Sequence, residues 1–249
     1  MIAEKGFHFC ELGSKQLLLR DEEYWKYELK RLNLQISSVF EFGHFAHWGH
    51  RRQIYINHEK LANKLAFLGI PMVTLGPGIQ LSKTMEQEDY ARMASQIKET
   101  IKRYTYKGIK VAIHPHFGHC IFKLEDIEWL THSMNSEIYL VPDLTHLHLA
   151  GINILAFIEH YLHVIAGFHI NNIKAVQTAV YTMRHTRGTS LDDGIIPCAA
   201  ILNILQRIGF TGGMTMEFEN VFEESIECLI DNSIRFVEQR KLLSRREDL

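Results

Sequence analysis

The chain of 249 residues is 46% hydrophobic and 22% charged, enough apolar material for one large core and ordinary for a globular protein. Its 27 basic residues stand against 29 acidic ones, for a net charge of -2, so no basic stripe is available to neutralise phosphates and nucleic acid is excluded as an expected partner. The longest apolar run, 149–158, falls short of the roughly 20 residues that cross a bilayer, which argues against a membrane partner.

The start of the chain mixes Glu4, Lys5, Glu11 and Lys15 among its apolar positions and lacks the pattern of a signal peptide. Cys10, Cys120, Cys198 and Cys228 form no CxxC. The expectation is a cytoplasmic protein with reduced thiols, folded as a single domain over 1–249.

In chain order, short Val-, Ile- and Phe-rich runs alternate with segments of helical period, the pattern of βα units around a parallel sheet. The predicted strands are 6–12 (GFHFCEL), 34–42 (LQISSVFEF), 71–78 (PMVTLGPG), 110–116 (KVAIHPH), 138–146 (IYLVPDLTH), 167–173 (GFHINNI) and 212–219 (GGMTMEFE). Among the helices, 87–104 repeats Met93, Ile97, Ile101 and Tyr104 on one face, and 154–165 repeats Ile154, Ile158, Leu162 and Ile165. A closing helix carries Ile226, Ile230, Ile234 and Val237 and is expected to fray into the charged tail 244–249.

Histidine is the outlier of the composition, with 15 residues, many at the ends of apolar runs. In a parallel sheet, residues distant in sequence converge at the carboxyl ends of the strands. His114 and His116, His169 and Asn171, and Glu217 and Glu219 are each two apart, and so share a face of their strand. Asp143 lies inside an apolar strand, a costly place for a carboxylate that has no partner. Imidazoles and carboxylates together suit Mn, Zn, Co or Fe better than Mg or Ca. The loop carrying His44, His47 and His50 fits either a substrate contact or a solvated loop, and so does Arg187 in RHTRG. No GxGxxG or Walker pattern occurs, so a nucleotide cofactor is not expected.

At these residues the chain resembles the xylose-isomerase-like TIM barrels, the superfamily of sugar phosphate isomerases and epimerases and of inosose dehydratases. VPDLTHLHLAGIN is similar to its Asp-x-Gly-His segment and GFHINNIK to its His-x-Lys-Asp strand. The stretch from DDGIIP to TMEFE is similar to the close of the barrel. The resemblance implies a parallel (β/α)8 barrel and a divalent metal held by His114, Asp143, His169 and Glu217.

Three departures stand out. His114 occupies the position of a family Glu that serves as a catalytic base, within an HPH pattern similar to inosose dehydratases. Thr145, Asn171 and Asn172 replace the family's Gly and Lys-Asp. GFHFCELG resembles the second strand, with Glu11 at its end, so the first strand and most of the first helix are expected to be lacking, through a misplaced gene start, an open barrel, or completion by another chain. A homo-oligomer would then cover 6–12 and 212–219.

The implied activity is metal-dependent isomerisation or epimerisation of a keto-sugar or polyol through an enediolate. The alternatives are an inosose dehydratase-like lyase and a catalytically inactive barrel with a binding role. Glu217, His116 and Glu219 are the expected proton-transfer groups, and Glu11, His44, His146 and Arg187 the expected substrate contacts.

Overall fold

The computed structural model describes residues 1–80, 85–134, 137–175, 186–222 and 225–240; the charged tail at 244–249, and Arg184 and His185 of the RHTRG loop, lie outside them. The chain divides into two compact units, one of Met1–Pro142 with Val164–Ala166 and one of Asp143–His163 with Gly167–Leu249.

The first unit is a run of βα steps: β1 (Phe9–Gly13), α1 (Ser14–Leu18), α2 (Glu22–Leu32), β2 (Gln35–Phe42), α3 (Arg51–Leu68), β3 (Met72–Gly76), α4 (Gln87–Thr105), β4 (Lys110–Ile113), α5 (Leu124–Met134) and β5 (Tyr139–Leu140). The five strands pair in parallel in their chain order. Local chemistry sets the helix starts. Asp21 caps α2 by accepting the Tyr24 N–H at 2.8 Å, and Glu86 and Asp89 form a capping box at the start of α4. Met93, Ile97, Ile101 and Tyr104, the face expected from the periodicity, are all buried along α4, and Val39, Val73, Leu75, Val111 and Ile113 are buried on the strands.

The loop after β2 is held from beneath. Phe45 is fully buried, its ring stacks on His58 at 5.6 Å, and its carbonyl accepts from Gln96 Nε2 at 2.6 Å. His58 in turn meets the Tyr104 hydroxyl at 2.8 Å, and burial pulls its imidazole down to about 4, so it is neutral. Phe45→Ala is expected to cost about 3 to 5 kcal/mol, since a large cavity opens where backbone and ring are both anchored. A urea midpoint equal to wild type would contradict that anchoring.

The second unit contains α6 (Leu144–Leu149), α7 (Ile154–Tyr161), β6 (Gly167–Ile170), β7 (Asn172–Ile173), β8 (Gly188–Thr189), α8 (Cys198–Arg207), β9 (Gly213–Met216) and α9 (Ile226–Glu238). Here β6 and β9 pair in parallel, while β7 and β8 pair antiparallel. The seven predicted strands are thus present, and the structure adds a small antiparallel pair that the periodicity did not suggest. Two runs stop early for identifiable reasons. Pro142 has no N–H to continue the ladder past Val141, and Asp143 turns instead into the N-cap of α6. The run 167–173 breaks at Asn171, because both asparagine side chains bond elsewhere and compete with the ladder. No helix among the described residues is long and apolar enough to cross a membrane.

Candidate metal centre

Strand register gathers the site. Asp143 bridges His169 in parallel, and His169 faces Thr215 across β6 and β9. Glu217, two residues past Thr215, extends that ladder through its N–H to the Ile170 carbonyl at 3.2 Å. The side chains of Asp143, His169 and Glu217 therefore converge, and one donor atom from each lies within 4.8 Å of the others. His169 Nδ1 is 2.8 Å from Glu217 Oε2.

Asp143 has no solvent exposure, and both its oxygens are held. Oδ1 accepts the His146 N–H at 2.8 Å, and Oδ2 accepts from Asn171 Nδ2. Burial, reinforced by the neighbouring Glu217, pushes the Asp143 carboxyl up to about 8, against the opposing pull of His169 and the His146 N–H. Glu219 is pushed up to about 7, first by burial and then by Glu217. Its Oε2 is buried with no hydrogen-bond partner among the described residues.

A divalent cation fits this donor set. Two carboxylates and an imidazole are the ligand types of borderline metals, and the Asp143 carboxylate is desolvated and crowded by Glu217 in a way that a positive charge would relieve.

The other expected residues fall as follows. In the second unit, His146 is buried in the first turn of α6 rather than at a strand end. Arg187 stacks over Phe222 at 4.8 Å and donates to the Thr186 carbonyl. In the first unit, His114 follows β4 and is buried, its Nδ1 2.9 Å from the Val141 carbonyl. A carbonyl only accepts, so Nδ1 carries the proton and Nε2 is the nitrogen with a donor pair. His116 contacts the Phe117 carbonyl through Nδ1 at 2.8 Å and stacks on His119 at 4.0 Å. His44 packs edge-on against Phe42, and burial lowers its pKa. Glu11 on β1 accepts from Thr74 Oγ1 at 3.0 Å and from Ser38 Oγ. Sequence reasoning missed Ser38 and Thr74; a hydroxyl inside a strand that otherwise packs apolar side chains was the available signal.

Asn172 does structural work beside the site. Its Nδ2 donates to the Leu191 and Ile196 carbonyls, and its Oδ1 accepts the N–H groups of Ile173 and Ile196. Only an amide can both give and take here. Asn172→Asp is expected to destabilise by about 3 kcal/mol, because an ionised carboxylate would face two carbonyls stripped of their donor. An unchanged denaturation midpoint would show that these bonds are dispensable.

A family model described as xylose isomerase-like TIM barrel matches residues 1–239. The chain belongs to that family. Among the relatives of this xylose isomerase-like chain, an inosose dehydratase of Glaesserella parasuis serovar 5 (strain SH0165) is 27% identical over 241 residues, covering 88% of this chain and 80% of the relative. The inosose dehydratase of Yersinia enterocolitica serotype O:8 / biotype 1B (strain NCTC 13174 / 8081) is 25% identical over 257 residues, with 91% and 85% covered. The crystal structure of IolI protein with a bound zinc atom matches with a TM-score of 0.80 at 17% identity, covering 98% of this chain and 92% of that one. The xylose isomerase-like fold, a parallel α/β barrel, is thus shared with a protein that holds zinc.

Proposed function

We propose that this chain enolises a keto-polyol at a divalent-metal centre built on Asp143, His169 and Glu217, and that loss of water from the enediol completes the reaction. The observation that carries this is the convergence of those three donors, Asp143 and His169 buried and Glu217 part-exposed, beside the raised carboxyl of Glu219. The family resemblance adds His114 as a fourth donor, and its proton placement suits that role. When bound, the metal supplies Lewis-acid polarisation of the substrate carbonyl and acidifies the adjacent C–H. Residues 1–249 act as one catalytic domain.

The chain's own groups carry the protons. A carboxylate or imidazole takes the proton from the carbon next to the carbonyl; the C–H pair becomes the double bond of the enediolate, and the carbonyl π pair moves onto oxygen. Glu219, poised near neutrality, gives a proton to the hydroxyl on the next carbon as its C–O bond breaks; the carbonyl re-forms, the carbon–carbon double bond shifts to that carbon, and the hydroxyl leaves as water. Glu217 and His116 are the other groups assigned to proton movement. Glu11, His44, His146 and Arg187 are assigned to substrate hydroxyls. The inosose dehydratase relatives favour this outcome over return of the proton, which would give isomerisation or epimerisation. The second outcome has its own support in Glu219, since a carboxyl near neutrality returns a proton as readily as it removes one.

The test is incubation with a panel of inososes and keto-sugars in deuterated water with Mn, Co, Zn or Fe. Deuterium at the carbon beside the carbonyl and a product lighter by one water are expected. Exchange without water loss would reassign the chain as an epimerase or isomerase. No exchange with any substrate, metal being bound, would leave a barrel with a binding role.

A further inference from the structure

We propose that Asn171, oriented by Thr145, is a positioning residue that clamps Asp143 for metal binding, so that Thr145 and Asn171 act as one unit. The inference deepens the metal reading above and rests on it.

The geometry leaves little freedom. Asn171 is buried, at 5% exposure, and lies two residues beyond His169. One atom of its amide meets both the Thr145 N–H at 3.0 Å and the Thr145 hydroxyl at 2.8 Å. A backbone N–H can only donate, so that atom is Oδ1, and Nδ2 necessarily faces Asp143 Oδ2. The other Asp143 oxygen is occupied by the His146 N–H at the start of α6. Each oxygen thus carries one N–H donor, which fixes the plane of the carboxylate and leaves its remaining lone pairs to a cation. Groups that orient a ligand in this way commonly change metal affinity by about 10- to 100-fold when removed.

The two residues are chemically matched. A lysine at 171 would donate to Asp143 but offer no acceptor to the Thr145 hydroxyl, whereas an amide does both. A neutral amide also adds no cation next to the one the site would take up.

The test uses the full chain and Co2+, read by the dissociation constant and by the visible absorption bands that report coordination geometry, with melting of the metal-free protein alongside. Asn171→Leu is expected to weaken Co2+ binding by about 10- to 100-fold and to alter the bands. Thr145→Val, which removes only one of the bonds orienting the amide, is expected to weaken binding by about twofold to tenfold. In the double variant, Thr145→Val should add nothing to Asn171→Leu, since its effect runs through the amide. Unchanged affinity and bands in both single variants, with wild type binding Co2+, would overturn the clamp and leave the metal site standing. Additive effects in the double variant would also overturn it. If Asn171→Leu does not fold, Thr145→Val decides alone. Failure of the wild type to bind Co2+ or any other divalent metal would overturn both the clamp and the metal centre.

Discussion

Asp143→Ala and His169→Ala are each expected to abolish divalent-metal binding, with loss of affinity of more than about 100-fold, the largest effect anticipated for any single substitution here. Asp143 is fully buried, and one donor atom each from Asp143, His169 and Glu217 lies within 4.8 Å of the others, so removing one of the three takes away a donor that a cation there would share. Elemental analysis after dialysis reads the result directly. A thermal melt supplies a second readout, because a ligand at 100 times its dissociation constant stabilises the folded state by about 2.7 kcal/mol. Metal stoichiometry or a metal-induced rise in Tm preserved in either variant would sink the site. Removing Asp143 also removes the N-cap of α6, so the metal-free variants must be compared with metal-free wild type.

The second large effect concerns pH. Asp143 has its carboxyl raised from 3.8 to about 8 in the metal-free fold, mainly by burial and then by Glu217. The folded chain therefore binds more protons than the unfolded chain between those values, and stability falls as pH rises through that window. Glu219, raised to about 7, works in the same direction. The histidines act oppositely but elsewhere. Burial holds His58 and His119 near 4 and 3, so their effect is confined to acid pH.

Above about pH 6.5 the carboxyls dominate, and the chelated protein is expected to lose at least about 3 °C of Tm by about pH 8.5. The metal-loaded protein should be nearly flat over that range, its carboxylates being neutralised by the cation. Metal affinity should rise toward pH 8 by up to about tenfold per unit for each proton expelled. A chelated protein whose Tm rises with pH over this window would show that Asp143 is ionised without metal, and that its two N–H donors outweigh its burial.

The sequence by itself determined the parallel α/β architecture, because alternation of short apolar runs and helical repeats is a local property of the chain. It found all seven parallel strands, although the fifth, expected over 138–146, spans only Tyr139–Leu140, and it put Asp143, His169 and Glu217 in or at the ends of strands. The stop of β5 after Leu140 and the helical setting of His146 follow from local chemistry to which periodicity is blind, the missing N–H of Pro142 and the N-cap at Asp143. The β7 and β8 pair was decided instead by tertiary structure, because it depends on which backbone groups find partners far along the chain, and periodicity carries no information about that. The same holds for Glu11, whose hydroxyl partners come from β2 and β3.

Asn171 and Asn172 make the point most sharply. In sequence they are two adjacent departures from a family pattern, with nothing to separate their roles. In the fold their side chains have separate partners, one joined to Thr145 and Asp143 and the other to the backbone of 191–196. Asn171 sits in the break between β6 and β7, so no strand period assigns its side chain, and only the packed structure supplies what it meets.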